Sequence, residues 1–229
     1  MEIPYVNLPS QYLEHREEIL NAIDNVMKSG QYIMGPDVEQ FEKSFATLCG
    51  TKHAISVADG TESLMLSMKI FGIGPGDEVI TAPNSWISSA SSITHVGATP
   101  VFVDVRKDQN IDPDQIEKKI TKNTKAIMPV HLTGKIADMN PIMELAKKYN
   151  LKVIEDAAQS VGAKYHGKGS GSIGDVGSFS LHPLKNLSGA GDGGIVTTNS
   201  DSFAEELKLI RNHGIVNREA IKKWATIRA

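Results

Sequence analysis

Cysteine is nearly missing from these 229 residues: Cys49 is the only one. A lone cysteine forms no intramolecular disulfide and fits a reducing compartment. It precedes Gly50 at the end of an amphipathic stretch and reads as a small core thiol. There is no excess of basic charge, since 24 Lys and Arg stand against 27 Asp and Glu. That balance excludes the broad positive field that nucleic-acid binding needs, so any phosphate must be met by local donors. No apolar run approaches the length that spans a bilayer, and no membrane partner is expected. The opening MEIPYVNLPSQ has neither the basic region nor the apolar core of a signal peptide. The expected location is cytoplasmic. No internal repeat or low-complexity segment occurs.

What is present is a chain that is 40% hydrophobic, enough for one sizeable core and a single large domain. Residues 1–10 read as extended. Residues 11–29 carry an apolar stripe at helical spacing: Leu13, Ile19, Leu20, Ile23, Val26 and Met27. A second helix is expected over 37–49, with Val38, Phe41, Phe45 and Leu48 on one face. From there strands and helices alternate. Strands are expected at 52–57, 78–82, 100–105, 124–129, 151–154 and 195–198. Helices are expected at 63–71, 87–96, 114–120, 141–149 and 201–211, and residues 217–229 read as mixed. This alternation argues for an α/β fold, a mostly parallel sheet flanked by helices on both faces.

The stretch from Leu151 to Gly194 organises the chain. The strand 151–154 has β-branched residues at two positions and runs into Glu155 and Asp156. Ligands of open α/β sheets bind beyond the carboxyl ends of the strands, so a carboxylate there faces a ligand. Ser180-Leu181-His182-Pro183-Leu184-Lys185 follows; Pro183 argues against an ordinary surface helix. The small residues 188–194 let something approach the backbone closely. Their glycine spacing is not that of a dinucleotide fingerprint. Taken singly, Lys185 reads as a surface lysine and Asp156 as a helix N-cap. Taken together they suit pyridoxal phosphate (PLP), which needs a lysine for its Schiff base and an acid to keep its ring nitrogen protonated. The turn Asp59-Gly60-Thr61, between a strand and a helix, suits a phosphate seat, although Thr61 also reads as a simple N-cap. Trp86 follows a strand, where an aromatic is either a core residue or a stacking plate. His131, at another strand end, reads as structural.

The run EDAAQSVGAKYHGKGSGSIGDVGSFSLHPLKNLSGAGDGG resembles the core of the DegT/DnrJ/EryC1/StrS family of PLP-dependent nucleotide-sugar aminotransferases. PYVNLPSQY, GPDVEQFEKSFA, GIGPGDEVI, GATPVFVDV, NIDPDQIEKKI, TKAIMPVHLTG and LIRNHG extend the likeness over nearly all of the chain. The resemblance implies the large domain of the aspartate-aminotransferase-like (fold type I) PLP enzymes over residues 1–229, with an N-terminal helical segment. It implies Lys185 as the catalytic, Schiff-base lysine and Asp156 as partner of the pyridinium nitrogen. Gln159, one helical turn on, reaches the ring hydroxyl side. Gly60, Thr61 and Ser180 hold the phosphate, and Trp86 stacks on the ring. The implied partners are an amino-acid donor, glutamate by family likeness, and a nucleotide-linked keto sugar, in a homodimer that makes aminosugars for polysaccharides. Family members carry a smaller C-terminal domain and, beyond the position of Trp224, an asparagine–serine–arginine segment; 223–229 does not contain it, so that domain is expected to be absent here. Two other readings stay open. One is a PLP-dependent sugar dehydratase, whose relatives have histidine in place of lysine. The other is a truncated, noncatalytic or regulatory relative.

Overall fold

The computed structural model describes residues 6–214. The readings of residues 1–5 as extended and 217–229 as mixed fall outside them. Helix α1 spans Leu8–Ser29 and begins three residues before its expected start. Asn7 caps it through Ser10 N–H at 3.2 Å, and Pro9 sits in its first turn, where a missing N–H costs nothing. None of its side chains is buried, and Leu13, Ile23 and Met27 stay exposed along the apolar stripe. Helix α2, Pro36–Cys49, buries Glu42, Phe45, Ala46 and Cys49. The expected face is therefore corrected: Phe45 is in the core, whereas Phe41 and Leu48 are exposed. The sheet lies on one side of this helix only.

Strand β1 (His53–Val57) leads into α3 (Gly60–Ile70), β2 (Glu78–Thr81) into α4 (Ser88–His95), and then β3 (Thr99–Phe102) follows. Next come the short α5 (Pro113–Ile116), β4 (Thr124–Met128), α6 (Met139–Tyr149) and β5 (Lys152–Asp156). A two-strand ribbon, β6 (Lys164–Tyr165) and β7 (Lys168–Gly169), precedes β8 (Val176–Ser180), β9 (Gly194–Thr198) and α7 (Asp201–Ile210). The main sheet has seven strands in the order β1-β9-β8-β5-β4-β2-β3. All neighbours are parallel except β9, which runs against both β1 and β8. Strand β5 reaches farther than expected and includes both Glu155 and Asp156.

The period of two along each strand sorts the core into layers. Ile55, Val79, Met128, Ile154, Val176 and Val196 pack on one face with residues of α3, α4 and α7. On the other face Ile80, Ile127 and Val153 meet α5 and α6, and Ala54, Phe179 and Ile195 meet α2. Phe45 and Phe179 close that second layer edge to face, with ring centroids 4.9 Å apart. Cys49 is buried there, and burial, with the nearby Glu155 carboxylate, pushes its thiol up to about 12. It is an inert core thiol. No helix among the described residues is long and apolar enough to cross a membrane.

Candidate active site

Strand β5 ends on two acidic residues that face opposite ways, as its alternation requires. Glu155 points to the α2 and α6 side. Its Oε1 accepts from Ile173 N–H and Gly174 N–H, both at 2.7 Å, and its Oε2 accepts from Gly171 N–H at 2.9 Å. His131 Nε2–H donates to the same Oε2 at 2.8 Å. Ala137 N–H donates to His131 Nδ1 at 3.2 Å, which leaves the imidazole proton on Nε2. His131 and Glu155 are both fully buried, so His131 is the structural histidine that the sequence suggested.

Asp156 points the other way, toward α4. Ser89 Oγ–H donates to its Oδ2 at 2.6 Å, and Ala158 N–H donates to its Oδ1 at 3.3 Å. Burial pushes this carboxyl above the ordinary carboxylate range, while Ser89, the Ala158 N–H and the Lys185 ammonium pull it down. Gln159 does not stand on a helical turn: Asp156 is followed by a tight turn closed by Ser160 N–H to Ala157 O at 3.0 Å. An i, i+3 spacing brings side chains together in either geometry, and Gln159 still reaches the same cavity. Its Oε1 accepts from Thr133 N–H at 2.8 Å.

The turn after β1 enters α3 at Gly60, three residues before the expected start. Asp59, not Thr61, is the N-cap: its Oδ1 accepts from Thr61 N–H at 2.7 Å and Glu62 N–H at 2.8 Å. Glu62 Oε2 reaches back to Ala58 N–H at 2.6 Å. Two of the amides expected to be open are thus taken. What remains toward an anion is the first helical N–H, that of Gly60, and the hydroxyls of Thr61 and Ser180. Ser88 adds a fourth donor, its Oγ 2.9 Å from Thr61 Oγ1. A Cβ on Gly60 would stand 2.6 Å from Ser180 Cβ, so only glycine lets β8 and this turn close together.

Lys185 lies on the loop that joins antiparallel β8 and β9. Leu181 N–H to Gly193 O at 2.7 Å and Gly189 N–H to Leu181 O at 2.8 Å tie the loop at its base. Pro183 sits in a turn rather than a helix, and Lys185 N–H closes that turn on His182 O at 2.8 Å. Trp86 follows β2 and is 70% exposed, so it is not a core residue in this chain.

All of these elements meet at the carboxyl ends of β1, β2, β5 and β8, around a cavity of about 570 Å³. Gly60, Thr61, Trp86, Asp156, Gln159, Ser180 and Lys185 all line it. So do Asp59 and His182, named from the chain within their turns but given no role, and Ser88 and Ser89, which no local pattern singles out. Asp59 was findable, because Asp-x-x-Glu before an apolar run marks a helix start. Ser88 and Ser89 stand in a serine-rich stretch where nothing local separates one hydroxyl from the next. The cavity wall thus combines hydroxyls and a helix start, a buried carboxylate, an amine and a flat aromatic. No group of three or more His, Cys, Asp or Glu among the described residues is arranged to hold a metal.

The family model for the DegT/DnrJ/EryC1/StrS aminotransferases matches residues 13–228. A dTDP-3-amino-3,6-dideoxy-alpha-D-galactopyranose transaminase of Aneurinibacillus thermoaerophilus is 49% identical over 213 residues, covering 93% of this chain and 59% of that protein. The crystal structure of S. venezuelae DesV superposes with a TM-score of 0.91 at 44% identity, over 94% of this chain and 58% of that one. NtdA of Bacillus subtilis, solved with bound cofactor PMP, gives 0.85 at 37% identity, over 94% and 50%. The chain spans somewhat more than half the length of the relatives it matches.

Proposed function

This chain belongs to the DegT/DnrJ/EryC1/StrS aminotransferase family, and from that premise we propose that its cavity holds PLP and serves the transfer of an amino group from an amino acid, glutamate by family likeness, to the keto carbon of a nucleotide-linked sugar. The observation that carries the reading is the convergence of one amine, one buried carboxylate, one flat aromatic and one cluster of hydroxyls on a single cavity at the strand ends. The donor set fits the cofactor's chemistry. Gly60 N–H, Thr61 and Ser180, with Ser88 beside them, offer donors to a phosphate. Asp156 offers an acceptor to a ring N–H, Gln159 a polar side chain at the ring edge, and Trp86 a stacking plate.

Bound in this way, PLP supplies an electron sink for charge that develops on the donor's α-carbon. The chain's own part is positional and acid–base. Lys185 Nζ is the one lysine amine on the cavity wall among the described residues, and it is the group that takes a proton from the donor carbon and returns it. Asp156, anionic opposite a ring N–H, holds that proton on the nitrogen. Lysine at 185 also separates this reading from a sugar dehydratase, whose relatives carry histidine there.

A homodimer is part of the proposal. Its support is apolar surface uncovered in the single chain: the α1 stripe, Tyr32, Ile33, Leu48, and Trp86 with Ile87 at the cavity mouth. A soluble, cytoplasmic enzyme is the matching expectation. The test is a titration with PLP followed by borohydride reduction and peptide mapping. The pyridoxyl mass is expected on Lys185; its recovery on another lysine refutes the assignment.

A further inference from the structure

Asp156 has two oxygens, and the hydroxyls behind it treat them differently. Ser89 is 2% exposed and its Oγ lies 2.6 Å from Oδ2. A carboxylate only accepts, so Ser89 spends its one proton on Asp156. Ser85 Oγ lies 2.8 Å from Ser89 Oγ. With the Ser89 proton already committed, Ser85 is the donor in that contact. The chain therefore runs one way, from Ser85 at the cavity wall through Ser89 to Oδ2. Oδ1 is left with one long bond, the 3.3 Å contact from Ala158 N–H.

We infer that Ser89, backed by Ser85, is a positioning residue that saturates Oδ2 of Asp156, keeps the carboxyl ionised in its buried site, and turns Oδ1 to the cavity as the acceptor for a ring N–H. This rests on the reading that the cavity holds PLP. Aligned hydroxyls reinforce each other and are worth most where water is excluded. The other charged or titratable neighbours are few. Lys185 faces Asp156 across the cavity. His131 and Glu155 lie on the far side of β5, where they are bonded to each other. None of them contacts Oδ2, so no other group substitutes for Ser89.

The experiment compares Ser89→Ala, Ser89→Thr and Ser85→Ala with the parent in two measurements. Without cofactor, the Asp156 carboxyl is titrated by carbon-13 NMR, with Asp156→Asn as the assignment control. With cofactor, PLP binding is measured by equilibrium dialysis. Ser89→Ala is expected to move the carboxyl titration to higher pH and to weaken PLP by roughly ten- to a hundredfold. Ser89→Thr, which keeps the hydroxyl, restores both, and Ser85→Ala falls between. An unmoved titration in Ser89→Ala, or a threonine that does not rescue, overturns the inference. A parent that binds no PLP overturns the functional reading and the role of Oδ1, while the titration still decides whether Ser89 holds the carboxyl. If Ser89→Ala does not fold, Ser85→Ala carries the same comparison, and no effect on either readout counts against the chain of hydroxyls.

Discussion

Replacing Glu155 by glutamine tests how much of the fold rests on one buried anion. The carboxylate is fully buried and accepts four hydrogen bonds, two on each oxygen. Glutamine has almost the same shape but presents an oxygen at one position and an NH2 at the other. Whichever way it turns, the NH2 faces two donors. They are either the Ile173 and Gly174 amides, or the Gly171 amide and His131 Nε2–H. The imidazole cannot relieve the clash by moving its proton, because Nδ1 is held by Ala137 N–H. Two buried donors lose their acceptor at about 1–3 kcal/mol each, so the substitution costs roughly 2–6 kcal/mol. Against a typical total of about 5–15 kcal/mol that is a large share. For a domain of this size it lowers Tm by roughly 5–20 °C. Differential scanning calorimetry on the cofactor-free protein measures it, and hydrogen exchange localises it to the amides of Gly171, Ile173 and Gly174. The control is Glu117→Gln, whose exposed carboxylate is bonded by Lys148 and Tyr149 and whose loss changes little. If Glu155→Gln melts within about 1 °C of the parent, the four-donor cage contributes nothing and the reasoning fails.

Asp156→Asn is expected to stabilise the cofactor-free protein at neutral pH while weakening PLP binding. The folded-state carboxyl is raised by burial, so its stabilising contribution is present below the unfolded value of about 3.9 and is lost as pH rises through the folded one. The Tm gap between variant and parent should therefore open with rising pH and close in acid; a gap that is constant with pH refutes the burial argument. Gly60→Ala forces a Cβ to 2.6 Å from Ser180 Cβ. The expected cost is about 1–3 kcal/mol by urea unfolding, together with weaker PLP binding; unchanged values for both would mean that β8 and the α3 turn have slack. Trp86→Ala removes an exposed ring, so Tm should hold while PLP binds about three- to tenfold more weakly, the share of a stacking contact. Equal dissociation constants by fluorescence titration would remove Trp86 from the cofactor's surroundings.

The large features were legible because they are periodic. Alternating strands and helices predict the mostly parallel sheet, and seven residues named from separate stretches between Gly60 and Lys185 line one cavity. The features that escaped depend on contacts distant in sequence. Ser89 matters through Asp156, 67 residues away along the chain, and no local pattern marks it. Helix α3 starts earlier than propensity predicts, because the Asp59 and Glu62 caps outweigh the poor helix formers Gly60 and Thr61. The turn at Gln159 reads as helix from the chain alone, because i, i+3 spacing does not distinguish a closed turn from the start of a helix. The outward faces of α1 and α2 show the limit of periodicity, since an apolar stripe says that something covers it but not what.

The opposed carboxylates of β5 also bear on how this gene can change. Shifting β5 by one residue in one sense would put Asp156 in the cage built for Glu155 and Ala157 at the cavity; in the other sense it would put Glu155 at the cavity and Ile154 in the cage. The first slip leaves the cage an acid one methylene too short and the cavity no acid; the second leaves the cavity an acid one methylene too long and the cage an apolar side chain. A single-codon insertion or deletion in this strand therefore damages the fold and the site together, and no single substitution repairs both. Lineages of this chain should accumulate length changes in their surface loops, such as the one between β6 and β7, and keep the count through β5 fixed.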